Sequence, residues 1–237
     1  MPAGVRAVTR LLVSLDGLPG TRDLGPLAVR LFRAAPAADR EALAELAEVT
    51  AWVLFEEEHQ RLAHAHNLAA LALARPGGDV HVLTLLNASM QRAHVGRLAE
   101  ALALADRGEA MARSPKVRAM FALRAARAHS RAGRAREALA ALDRARDAPA
   151  HDPTAPPWAW WVDETELAAH RAAVLANLGR LEEAAATFPS ADQLRFREVV
   201  GAMRYRTLRA LGEWPGPPPT FTSPRATRTA TGLRLPR

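Results

Sequence analysis

Proline and glycine cut this chain into lengths that admit two helices and a turn, and little else. A proline inside a helix loses a hydrogen bond and clashes with the preceding turn. Interruptions fall at Pro19, Pro26, Pro36, Pro76, Pro115, Pro149, Pro189 and Pro215. The proline-free windows 37–75, 77–114 and 116–148 hold 39, 38 and 33 residues, and a fourth, from Trp158 to Phe188, holds 31. Three windows carry a Gly-Arg pair followed at a constant offset by Glu-Ala: Gly96-Arg97-Leu98-Ala99-Glu100-Ala101, Gly133-Arg134-Ala135-Arg136-Glu137-Ala138 and Gly179-Arg180-Leu181-Glu182-Glu183-Ala184. The spacings are 37 and 46, the longer absorbing a linker around Pro149 to Pro157.

Each of these glycines suits the C-terminal cap of the helix before it, because glycine enters the left-handed region without steric cost. The glutamate then falls in the first turn of the next helix, where the helix dipole favours it. Apolar residues recur at helical period, as in Val82, Leu85, Leu86 and Met90 or Val117, Met120, Phe121 and Leu123, and no window alternates like a strand. A period of helical hairpins is the signature of an all-α solenoid. The 237 residues suffice for a core, but 53 of them are alanine, so that core must be built from small side chains. The absence of cysteine excludes disulfides, thiolate metal sites and a cysteine nucleophile, and a reducing cytoplasm is the expected setting. No apolar run reaches the roughly 18 residues of a membrane span, so no membrane partner is expected.

The charge is +7, from 32 basic against 25 acidic residues, and the pI is near 11.2. Residues 213–237 supply +3 of this, from Arg225, Arg228, Arg234 and Arg237 against Glu213. Elsewhere arginines interleave with carboxylates, which is the pattern of solvated helix surfaces. The chain divides into a short helical N-terminal lead (1–36), a helical repeat domain (37–212) and a Pro/Arg-rich tail (213–237) expected to be disordered. Between Pro189 and the tail, Phe196, Val199, Val200, Met203, Leu208 and Leu211 mark one more amphipathic helix that closes the end of the repeats or meets a second copy in a homodimer.

Around these hairpins the sequence resembles the tetratricopeptide repeat family. With Ala101, Ala138 and Ala184 as the second-helix alanines, the small first-helix position twelve residues earlier is Ser89, Ala126 and Ala172, and the alanine seven residues later is Gly108, Ala145 and Ala191. Residues 37–75 form a degenerate pair with Ala63 and Ala70 in the alanine positions and no glycine turn. A second resemblance spans Glu48 to Ala184. Leu46-Ala47-Glu48-Val49-Thr50-Ala51-Trp52, Leu83-Thr84-Leu85-Leu86-Asn87 and Pro156-Pro157-Trp158-Ala159-Trp160-Trp161-Val162 look like the repeat region of bacterial helix-turn-helix regulators of the xenobiotic-response-element type. That likeness implies recognition of a ligand or peptide, or self-association, in transcriptional regulation. The DNA-reading half is expected to be missing, because Gly17, Pro19, Gly20, Gly25 and Pro26 stand where its second helix would lie.

The tetratricopeptide resemblance further implies a concave groove lined by first-helix residues: Leu83, Leu86, Met90 and His94, then Met120, Leu123, Arg127 and Arg131, then Glu166 and Asn177. Arg127 and Arg131 share a helix face and suit a carboxylate or the end of a peptide. Trp158, Trp160 and Trp161 either pack across a joint between repeats or leave a ring as a platform, with Trp158 and Trp161 the candidates for contact.

No constellation supports catalysis. His59 and His66 share a helix face without a supporting carboxylate, and Glu56-Glu57-Glu58 diverge around a helix. Asp163, Glu164 and Glu166 sit where a helix begins and read as capping residues. No glycine-rich phosphate loop or Gly-x-Ser-x-Gly elbow occurs, and no cofactor is implied. The expectation is a non-catalytic scaffold for a peptide, small ligand or protein segment. Nucleic-acid binding through groove arginines and the basic tail is the alternative, with a module that pairs with intact regulators as a third.

Overall fold

A computed structural model describes residues 2–16, 23–147, 152–159, 163–189 and 197–213. Every regular element among these residues is a helix, with no strand among them. The helices are α1 (Pro2–Asp16), α2 (Leu24–Ala34), α3 (Arg40–Glu56), α4 (Gln60–Leu73), α5 (Asp79–His94), α6 (Leu98–Met111), α7 (Pro115–Arg131), α8 (Ala135–Arg146), α9 (Glu164–Asn177), α10 (Leu181–Thr187) and α11 (Arg197–Ala210), with a 3-10 turn at Pro157–Ala159.

One local device ends five of them. Gly96, Gly133, Gly179 and Gly212 hold φ between 72 and 79°, and Glu58 holds 61° at the equivalent place. In each case the next amide reaches back over the turn: His59 N to Leu54 O at 2.8 Å, Arg97 N to Arg92 O at 2.9 Å, and Arg134, Arg180 and Glu213 to His129, Leu175 and Leu208 at 3.0 Å. This closure satisfies a terminal carbonyl and aims the chain back along the helix it has just left. The first pair therefore has the same turn as the others, built on a glutamate.

Four antiparallel pairs result: α3 with α4, α5 with α6, α7 with α8, and α9 with α10. Each pair packs on the next in chain order, α4 on α5, α6 on α7 and α8 on α9, while the first helices α3, α5, α7 and α9 also meet their successors directly. The last helix, α11, packs on α9 and α10. Small residues set the distance within each pair. Ser89, Ala101, Ala126, Ala138, Ala172 and Ala184 are all fully enclosed, and the Ser89 hydroxyl donates to the Ala101 carbonyl across the pair at 2.9 Å. Ala63 and Ala70 are enclosed in the first pair as well. At Gly108 the approach is closer still, since a Cβ there would lie 2.2 Å from the Phe121 ring, itself fully buried on α7.

The N-terminal lead differs from expectation. Gly25 and Pro26 open α2 instead of preventing a second helix, because a proline in the first turn gives up no intrahelical bond. The Glu57 carboxylate at the end of α3 accepts from Leu24 N at 2.7 Å and Gly25 N at 3.0 Å. A Cβ at Gly25 would stand 2.6 Å from a Glu57 oxygen, so a larger residue here would push the end of that side chain aside. Both α1 and α2 lie on α3, where Val5, Leu12, Ala28, Leu43, Leu46 and Val49 form a small core of their own.

Asp39, Ser114 and Asp163 cap α3, α7 and α9 through bonds from Ala42 N, Val117 N and Glu166 N. The linker before α9 returns to the start of α7. Asp152 accepts from the Ser114 hydroxyl at 2.6 Å and from Lys116 N at 3.1 Å, as well as from Thr154. The Ser114 and Thr154 bonds hold its carboxyl well below the usual carboxylate range. The same linker delivers Trp158 to the main core shared by α5 through α10, where it is 6% exposed. All but the first residue of the expected tail lie outside the described residues, as do Ala191, Trp160 and Trp161.

Two substitutions test this packing by denaturant titration. Gly108→Ala destabilises by about 1–3 kcal/mol through overpacking, against the small gain that the change brings to an open helix. Glu58→Gly stabilises by about 1 kcal/mol, since it removes a side chain from a left-handed position.

Candidate anion-binding face

The four first helices and α11 share one turn, so positions counted back from it correspond. Nine residues before the turn stand Val49, Asn87, Arg124, His170 and Met203; six before, Trp52, Met90, Arg127, Ala173 and Arg206; two before, Glu56, His94, Arg131, Asn177 and Ala210. Neighbouring helices connect through these rows. Asn87 donates to the buried Glu48 carboxylate of α3 at 2.7 Å. The His94 ring meets Phe55 edge-on at 5.3 Å, and its Nε2 lies 3.2 Å from Glu58 Oε2. Arg131 donates to the Ala93 carbonyl of α5, and Asn177 of α9 donates to Ser130 Oγ of α7 at 3.0 Å.

Charge is unevenly spread along this face. Arg124, Arg127 and Arg131 follow one another at helical spacing on α7, and Arg206 of α11 comes close enough to bear on Arg127. Glu166, one turn before His170 on α9, is the carboxylate that bears on Arg124 and Arg127. Burial pushes both guanidinium groups down from their ordinary value to about 10; for Arg127, Arg124, Arg131 and Arg206 add like-charge repulsion that Glu166 only partly offsets. Arg127 finds no oxygen acceptor among the described residues, and its Nη1 rests 3.4 Å from Met203 Sδ, a weak acceptor. His170 Nε2 lies 3.3 Å from Glu166 Oε1, and its Nδ1 is buried with no hydrogen-bond partner. Burial lowers the His170 pKa, the Glu166 contact opposes that, and Arg124 and Arg127 lower it further.

The face gathers some of the expected contact residues and not others. Met90, Arg127 and Glu166 are partly buried on it, and His94, Arg131 and Asn177 are exposed along one edge. Asp163 and Glu164 act at the start of α9 as expected of capping residues, but Glu166 also faces the arginines. Leu86, Met120 and Leu123 are 1% exposed and belong to the core. A step of one residue turns a helix by about 100°, and Leu86 lies one step from Asn87, which carries the accessible row. Trp158 has no ring face open for a ligand, because the linker folds it inward, and Trp161 lies outside the described residues.

Sequence reasoning missed Arg124, His170 and Arg206. The spacing of Arg124, Arg127 and Arg131 was the available signal for the first. His170 and Arg206 acquire their role only when α9 and α11 are placed against α7. Elsewhere, His66 is spent on the Leu62 carbonyl at 2.9 Å and on an edge contact with Phe32, and no three His, Asp or Glu side chains among the described residues form a metal-binding group. An apolar depression between α4, α5 and α6, lined by Leu68, Leu71, Ala88 and Leu104, carries the Arg92–Glu100 ion pair at its rim. No helix among the described residues is long and apolar enough to cross a membrane. Comparison with protein-family models, curated proteins and solved structures finds no match to this chain.

A desolvated charge among like charges costs stability. Arg127→Met, which keeps the volume and suits the contact with Met203, therefore raises stability by about 1–2 kcal/mol in chemical denaturation.

Proposed function

We propose that this chain is a non-catalytic recognition scaffold, in which tetratricopeptide-like hairpins wind as a right-handed α-solenoid and hold an anionic ligand or peptide segment in a concave groove on their first helices. The successive pairs, the shared turn and the enclosed Ser89, Ala126 and Ala172 support the architecture. The observation that carries the function is Arg127, a partly buried guanidinium surrounded by three others and lacking an oxygen acceptor. Core energetics alone disfavour such a group, and an anion supplied from outside compensates it with charge-assisted bonds. The sequence resemblance to the repeat region of helix-turn-helix regulators supports a regulatory, cytoplasmic setting.

The test is binding of the full chain to short peptides with free acidic C-termini, their amidated neutral counterparts and basic controls, followed by calorimetry. Acidic peptides are expected to bind, and Arg131→Ser and Met90→Glu to weaken them at least tenfold. Leu62→Ser, on the exposed outer side of α4, is expected to leave binding unchanged. Binding that ignores the face variants, or no binding by any peptide, overturns the proposal. The arginines equally suit a nucleic-acid backbone, a reading that predicts affinity falling steeply with salt and independent of peptide competition.

A further inference from the structure

Resting on the recognition reading, we infer that the arginine cluster of α7 and α11 takes a compact dianion, a phosphate monoester or its inorganic equivalent, and that His170 gains a proton as it binds. Three observations lead there. The first is where positive charge concentrates: Arg124, Arg127 and Arg131 stand at helical spacing on α7, and Arg124, Arg131 and Arg206 all bear on Arg127, whose Nη1 meets only the Met203 sulfur. The second is its size. Three guanidinium groups bear on Arg127, and among the described residues Glu166 offsets them only in part, so a monoanion leaves more of that repulsion in place than two charges on one tetrahedral group do. Guanidinium forks match the paired oxygens of such a group.

The third is His170. It stands on α9 with its side chain 11% exposed, Nε2 on Glu166 and Nδ1 unpartnered. Glu166 from its own helix bears on it most strongly, with Arg124 and Arg127 from α7, and Arg206 of α11 bears in turn on Arg127. Neutralising the arginines removes the repulsion that disfavours an imidazolium, while Glu166 remains to accept from its Nε2–H. The free site favours neutral His170, and the filled site favours the protonated ring. Binding therefore strengthens as the pH falls through the histidine range.

Sulfate separates the protein's proton from the ligand's, because it stays doubly charged across that range. Calorimetry of the full chain at constant ionic strength is expected to show sulfate and inorganic phosphate binding, with dimethyl phosphate, a monoanion, at least tenfold weaker. Sulfate affinity is expected to rise several-fold from pH 7.5 to 5.5, and titrations at pH 6.5 in two buffers of different ionisation heat to show proton uptake. Arg127→Met abolishes sulfate binding, while His170→Gln retains it at pH 7.5 and flattens the pH dependence; thermal denaturation of both variants establishes that they fold. Equal affinity for dimethyl phosphate, undiminished sulfate binding by folded Arg127→Met, or an unchanged pH profile in folded His170→Gln each overturns the inference. Failure with sulfate alongside retained binding of acidic peptides overturns it alone and leaves the recognition scaffold standing, whereas failure with both removes the scaffold reading too.

Discussion

The arrangement depends on helices within a pair coming close enough for a side-chain hydroxyl on one to reach a backbone carbonyl on the other, as Ser89 reaches Ala101. Only small residues permit that distance. With Ala126, Ala138, Ala172 and Ala184 fully enclosed, an interior poor in large apolar groups still excludes water, because dispersion contacts between methyl groups and backbone substitute for bulky side chains. Close approach within pairs also fixes where the next pair must sit. Phe121 occupies the space that Gly108 leaves open, so the joint between the second and third pairs closes on an aromatic ring seated against backbone.

This economy has a consequence for charge. A pair held together by alanines presents long side chains mainly on its outer surfaces, and the first-helix face collects the residues that stand nine, six and two places before each turn. Along that face the character changes from carboxylate and amide on α3 and α5 to guanidinium on α7. Crowding by α9 and α11 then desolvates Arg124 and Arg127, and desolvation strengthens every interaction an incoming anion could make with them. Desolvated among like charges, Arg127 costs the protein stability. On ordinary solvated helix faces of the same protein, exposed arginines such as Arg144 and Arg180 instead pair with nearby carboxylates.

The turns show how far local chemistry is readable. Gly96, Gly133 and Gly179 announce themselves, since a left-handed residue at a helix end calls for glycine. Glu58 performs the same turn and gives no such sign, because a glutamate there is a strained residue tolerated by the packing of α3 on α4. The start of α2 is a parallel case. Gly25 and Pro26 read as breakers until Glu57, distant in sequence, is seen to accept from the amides of the first turn.

The sequence by itself determined the helical class, the pairing of helices and the small residues at their contacts, because these follow from short-range rules of capping, periodicity and steric size. It also marked Arg127 and Arg131 as neighbours on one helix. Only the tertiary structure decided that Leu86, Met120 and Leu123 turn inward, that Trp158 is enclosed by a returning linker, and that Arg124, Arg206, Glu166 and His170 converge. The reason is that burial and field strength at a side chain depend on what other helices bring to it. For Arg127 one such contact, with Met203, comes from 76 residues away along the chain.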